Sequence, residues 1–209
     1  MKYFRGLTEE LKYVFHVVFH PFDGFWDIKH EKRGSVRTSL LLMGLLVLVF
    51  TLEEQFTGYY FSNSDTKGIL LQITSVFLPL MIWCVSNWCI CTLVEGEGTF
   101  RDIVTVTGYA VSPMIALHMV MIVFSNFATA DSADFYFILS FVAIAWSAFL
   151  IFVGIMTIHQ FTASKTVLTC LIAVVGMVVI VFLIIMFLTI MQQVYSMFYT
   201  IWREIILRF

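Results

Sequence analysis

The side chains with chemistry to offer are few, and most lie within or beside long apolar runs. His118 sits inside one such run, Asn87 inside another, and His159 at the end of a third. Glu53 and Glu54 follow a fourth and are expected to reach water. A lone histidine among apolar residues either hydrogen-bonds a neighbouring helix or relays protons, and the first role is the commoner. Cys84, Cys89, Cys91 and Cys170 also lie in apolar runs. Their spacing suits no zinc site, and no nearby histidine or acid completes a ligand set. They read as small buried apolar residues. The sequence has no GxxxxGK[ST] loop, no HExxH pair and no GxSxG elbow. No pair of carboxylates inside an apolar run suggests acid–base chemistry. The reading is therefore of no catalytic residues, no metal, no cofactor and no nucleic-acid partner: not an enzyme.

What must position these residues is a membrane bundle. Hydrophobic residues make up 60% of the chain and charged residues 12%, and the mean hydropathy is +0.93. Soluble domains carry about 25% charge. No Asp, Glu, Lys or Arg occurs from Phe135 to Ser164. A bilayer core of about 30 Å needs roughly 20 helical residues. Five runs qualify: Thr38 to about Tyr60, Gly68–Leu93, Ile103–Phe127, Phe135–Ile158 and Val167–Met191. The connections are short, so consecutive spans are expected to be antiparallel neighbours. The fold class is all-α: an integral membrane bundle of five transmembrane helices with amphipathic helices at both ends. No cleavable signal is expected, because the first 37 residues hold no apolar run before a small-residue cleavage site.

Orientation follows from Lys and Arg near the spans. With the N-terminus inside, nine of the twelve lie on the inner side and three on the outer. The N-terminus is expected in the cytoplasm and the C-terminus outside, with Tyr59, Tyr60 and Phe61 in the outer aromatic belt. Residues 1–37 read as a cytoplasmic amphipathic helix and a basic-aromatic segment. Residues 38–191 form the membrane domain, and 192–209 a C-terminal interfacial helix. In the first segment Leu7, Leu11, Val14, Phe15, Val18 and Phe19 recur on one helical face. In the last, Val194, Phe198, Ile201, Ile205 and Phe209 form a second stripe.

Three stretches stand out. In His20–Ser35, Pro21 and Asp23-Gly24 mark turns. Phe22, Phe25, Trp26, Lys29, Lys32 and Arg33 are candidates for contact with lipid headgroups or a cytoplasmic partner. In Asn87–Phe100, Asn87 is candidate glue between helices, and Gly96 and Gly98 allow a tight reversal. Glu95, Glu97 and Asp102 make this inner loop acidic, and they are expected to face the basic segment Lys29–Arg37. In Gly108–Pro113, Tyr109 and Pro113 lie mid-span. Pro113 and Pro79 should each kink their helix.

These stretches resemble a known family. His20-Pro21-Phe22-Asp23-Gly24-Phe25, Asn87-Trp88 with Glu95-Gly96-Glu97-Gly98-Thr99-Phe100, and Tyr109-Ala110 with Pro113 are similar to the bacterial branch of the Yip-domain membrane proteins, named from Ypt/Rab-interacting proteins of yeast. The likeness runs from about His20 to Met191. It implies a five-helix domain in a bacterial cytoplasmic membrane and no agreed catalytic residues. Eukaryotic members work in Golgi and ER trafficking and contact small GTPases through a long N-terminal region, which is under 40 residues here. Similar bacterial proteins are often encoded near ABC transporters.

The functional expectation is a non-enzymatic accessory or scaffold protein in the bilayer that associates with another membrane complex, such as ABC transporter subunits. A small transporter or channel component, with a polar site between the second and third spans, is the alternative. A membrane-shaping protein using both amphipathic flanks is a third. The sequence does not specify the oligomeric state.

Overall fold

A computed structural model describes the backbone of residues 2–58, 68–127 and 133–208, without the side chains of 2–9, 11, 133, 207 and 208. The expected belt residues Tyr59, Tyr60 and Phe61 lie outside the described residues. All the regular structure described is helical: α1 Lys2–Phe19, α2 Pro21–His30, α3 Val36–Phe56, α4 Ile69–Leu93, α5 Phe100–Ala110, α6 Ser112–Ser125, α7 Ala133–His159 and α8 Ala163–Arg208. Five spans are long and apolar enough to cross a membrane: α3, α4, α5 with α6, α7, and α8. The chain is a multi-pass membrane protein.

The third span is the centre of the bundle. Of its most apolar window 61% is buried, against 6% for α8. Its start is fixed locally. The Thr99 hydroxyl accepts from the Asp102 N–H, and the Asp102 carboxylate accepts from the Thr99 N–H at 2.9 Å. This capping box satisfies two otherwise orphaned donors. The expected kink at Pro113 is a full break, with Val111 between α5 and α6 and Pro113 in the first turn of α6. A proline at that place frees the carbonyl four residues earlier. That carbonyl belongs to Tyr109, and the Ser112 hydroxyl donates to it at 2.6 Å. Pro79 behaves differently: α4 continues through it as one helix.

Small residues set the helix crossings, as packing in lipid favours. A Cβ at Gly108 would lie 2.6 Å from the Ser39 Cα, so α3 and α5 touch backbone to backbone there. The Ser39 hydroxyl donates to the Val104 carbonyl across the same contact. Where α4 meets α8, the Ser86 hydroxyl donates to the Ala173 carbonyl at 2.6 Å.

The two ends differ from the sequence expectation. Pro21 and Asp23-Gly24 do not form turns but open α2, with Pro21 at its first position, where a missing N–H costs nothing. Gly24 lets α1 and α2 pack closely, since a Cβ there would sit 2.9 Å from the Val17 Cα. On α1, Val14 and Val17 are buried whereas Phe15 and Phe19 are exposed. The buried face is thus rotated from the one the apolar stripe suggested. At the other end, α8 runs through residues 191–192 without interruption, so the fifth span and the C-terminal stripe share one 46-residue helix.

Candidate functional site

Two polar knots and one exposed face organise the candidate residues. The first knot forms where α2, the α4–α5 loop, α7 and α8 meet. The Lys29 ammonium donates to the Ile158 carbonyl at 3.1 Å and the Glu97 carbonyl at 3.2 Å. It lies 3.9 Å from the Asp102 carboxylate. A cation is well placed on the last carbonyls of a helix, where partial negative charge gathers. Lys165 repeats the device at the end of α4, donating to the Val94 carbonyl at 3.0 Å. Its ammonium also sits 4.2 Å from the Phe161 ring centroid. His159 stacks on Phe161 with ring centroids 5.2 Å apart. Its Nδ1 accepts from the Gly98 N–H at 3.2 Å, which requires an unprotonated Nδ1.

This knot revises the reading of the glycines. Neither Gly96 nor Gly98 takes a positive φ; the left-handed residue in the loop is Glu95, at φ 57°. Glycine is needed there for room: a Cβ at Gly98 would lie 2.7 Å from the His159 Cε1, and one at Gly96 would strike His159 Nδ1. The acidic loop meets the basic segment through Asp102 and the Glu97 backbone carbonyl, both at Lys29. Arg33 turns back on its own segment, 2.6 Å from the Glu31 and 3.4 Å from the Asp27 carboxylate.

The second knot joins α3, α6 and α7. His118 is buried, and its Nδ1 lies 2.7 Å from the Glu53 carboxylate. The Tyr136 hydroxyl donates to the other Glu53 oxygen at 2.6 Å. Phe50 covers the imidazole, with centroids 4.7 Å apart. Glu53 therefore faces protein where open water was expected; its side chain is 15% exposed. Among the described residues no polar atom meets His118 Nε2. The Glu53 carboxylate thus ties three helices together through His118 and Tyr136.

Asn87 is fully buried, and its carbonyl oxygen accepts from the Cys91 thiol at 3.4 Å. Tyr109 is fully buried as well. A groove of about 430 Å³ lies elsewhere, lined by Leu52, Phe56, Met119, Ile122 and Asn126 among others. Neither Asn87 nor His118 lines it.

The exposed face belongs to α1 and α2. Phe15, Phe19, Phe22 and Trp26 are 69, 72, 54 and 50% exposed, at i, i+4 spacing on each helix. His30 stacks on Trp26 at 4.4 Å. Of the remaining candidates on this segment, Lys32 is exposed, but Phe25 is fully buried and Lys29 is engaged below. The helices are held to the bundle. The Glu10 carboxylate accepts from the Ser35 hydroxyl at 2.6 Å and from the Thr38 hydroxyl, at the N-terminus of α3. That is the favourable end for an anion. The Tyr13 hydroxyl lies 3.1 Å from both the Gly24 carbonyl and the Asp27 carboxylate. Burial, then the hydrogen bond to Asp27, raises the Tyr13 phenol above its usual range.

Sequence reasoning missed Glu10, Val17, Tyr136, Phe161 and the structural use of Lys165. Glu10 and Tyr136 act on partners 25 to 83 residues away, so no local pattern marks them. Among the described residues no group of three His, Cys, Asp or Glu side chains is placed to hold a metal.

No curated protein and no solved structure matches this chain. The Yip1 domain matches residues 15–202, from the middle of α1 to the far part of α8, and the chain belongs to the Yip1 family.

Proposed function

We propose that the chain is a non-catalytic membrane scaffold whose α1–α2 face holds another membrane protein complex. The Yip1 family is not an enzyme family, and its members interact with proteins. The observation that carries the reading is the exposed row Phe15, Phe19, Phe22 and Trp26 on helices whose opposite face is fastened to the bundle. A free interfacial helix would need only one apolar face, turned to lipid. Here Val17, Phe25 and Lys29 fix one face to the protein, and four large aromatics remain on the other. Aromatic anchors in a rigid setting are the side chains that dominate protein interfaces. The Lys/Arg distribution supports a cytoplasmic placement of this face. The resemblance to bacterial Yip-domain proteins suggests a cytoplasmic membrane and an ABC transporter as the complex held. The transport reading draws no support from the groove of about 430 Å³, which neither Asn87 nor His118 lines.

The test is affinity purification from native membranes at native expression, in mild detergent. The wild-type chain is expected to bring down a membrane complex, and Phe22→Ser with Trp26→Ser to lose it while keeping its own thermal stability. Isolation without a partner, or with the partner equally retained by the double variant, would overturn the proposal.

A further inference from the structure

The groove between α3 and α6 opens where both helices end. Leu52 and Phe56 form its α3 wall, and Met119, Ile122, Val123 and Asn126 its α6 wall. Phe56 is the last residue of α3 and Asn126 caps α6, so the mouth lies at the end of the two spans. From Met119 to Asn126 the helix rises about 10 Å. One leaflet of the hydrocarbon core is about 15 Å deep. The groove therefore runs along the spans from headgroup level through most of one leaflet, which is the course of an acyl chain. Its walls are turned outward: Phe56, Met119 and Val123 are each about half exposed or more.

The mouth has a polarity of its own. α3 and α6 belong to the first and third spans, which run the same way, so two helix C-termini meet there. Each gathers partial negative charge on its last carbonyls and favours a cation. Neither helix has a basic residue in its last turn, and the last turn of α3 holds Glu53 and Glu54 instead. Asn126 adds a directional contact. Its amide nitrogen donates to the Phe56 carbonyl at 2.9 Å and to the Ile122 carbonyl at 2.8 Å. Both amide hydrogens are thereby used, and what Asn126, an exposed residue, offers a ligand is its Oδ1 acceptor. The headgroup that fits this mouth is a cation that donates hydrogen bonds.

We infer that the α3–α6 groove is a phosphatidylethanolamine site, with one acyl chain along Leu52, Met119 and Val123 and the ethanolamine ammonium at Asn126 Oδ1 and the two helix ends. Lipid is the occupant because the groove is continuous with the apolar faces that α3 and α6 turn to the bilayer, Leu45 and Leu48 on one and Val120 on the other. The mouth then selects among lipids. Phosphatidylcholine brings the positive charge but no N–H to donate. Phosphatidylglycerol brings hydroxyl donors but no positive charge. The site lies at the ends of α3 and α6 and does not depend on what the α1–α2 face holds.

Native mass spectrometry of the delipidated full chain in detergent tests the inference, by titration with the three phospholipids carrying identical acyl chains. The wild-type chain is expected to take up one phosphatidylethanolamine at a concentration about tenfold or more below that needed for either of the others, as one charge-assisted hydrogen bond implies. Met119→Trp and Val123→Trp each fill the groove from an exposed position, which the fold tolerates. Both are expected to bring phosphatidylethanolamine to the level of phosphatidylcholine. Leu183→Trp, at an exposed position on α8, is the control and is expected to keep the preference. Equal uptake of the three lipids by the wild-type chain would overturn the inference, since the surface would then hold lipid without a site. So would a preference for phosphatidylethanolamine that survives both groove-filling variants, which would place the site elsewhere. Uptake of no lipid would also overturn it and would make the connection 59–67, which follows α3, the candidate occupant.

Discussion

Replacing Lys29 by methionine separates an internal fastening from a lipid-facing basic cluster. Lys29, Lys32 and Arg33 are neighbours in sequence, but only Lys29 reaches beneath the flank, with its side chain 17% exposed. Methionine keeps most of the apolar stem and removes the ammonium. The bond to the Ile158 carbonyl is part-buried and charge-assisted, a class that contributes about 1.5–3 kcal/mol. The bond to the Glu97 carbonyl is exposed, and water replaces most of it. The Asp102 contact, at 3.9 Å and partly exposed, adds about 0–1 kcal/mol. The total is about 2–4 kcal/mol, which for a chain of this size is a fall in Tm of about 4–16 °C. The assay is thermal unfolding of the detergent-solubilised chain, with Lys32→Met as the control. Lys32 is exposed, so its replacement is expected to stay within about 0.5 kcal/mol. Equal Tm values for the two variants would refute the reasoning, because Lys29 would then be a surface charge like its neighbour.

Four further outcomes are expected from the same unfolding assay. Phe25→Ala should cost about 3–5 kcal/mol, as a fully buried aromatic does, whereas Phe22→Ala, half-exposed three residues away, should change stability by no more than about 0.5 kcal/mol. Gly98→Ala should cost about 1–3 kcal/mol by pressing on the His159 ring. Gly44→Ala, with open space around the new methyl, should instead stabilise α3 by about 0.5–1 kcal/mol. In the knot around Glu53, Tyr136→Phe should cost about 1 kcal/mol. Combined with His118→Ala the loss should be non-additive, because both side chains bond the same Glu53 carboxylate.

The spans were legible because lipid imposes a length on apolar runs, and the five helices follow the five runs. Features that depend on which neighbour lies alongside were not. Phe22, Phe25 and Trp26 are one aromatic cluster in sequence, yet α2 has protein on one side only, and that decides that Phe25 goes in and the others out. Pro79 and Pro113 carry the same steric rule. The helix breaks only at Pro113, where Ser112 is at hand to satisfy the freed Tyr109 carbonyl. Gly96 and Gly98 were marked as special by their type, but the cause is the His159 ring, contributed from 61 residues away. Glu53 read as an acid near water at the end of a span. Its partners His118 and Tyr136 arrive from the third and fourth spans, and no local pattern announces them. The C-terminal stripe was legible as a stripe; that it continues the fifth span in one rigid helix was not.

The central claim, that the α1–α2 face is a protein-binding surface, is tested most directly by photocrosslinking in native membranes. A benzophenone amino acid is placed at Phe22 or Trp26 of the full chain, and at Leu48, an exposed apolar position within α3, for comparison. The account predicts one discrete protein adduct, the same from Phe22 and Trp26 and absent from Leu48. Lipid adducts alone from all three positions would contradict it.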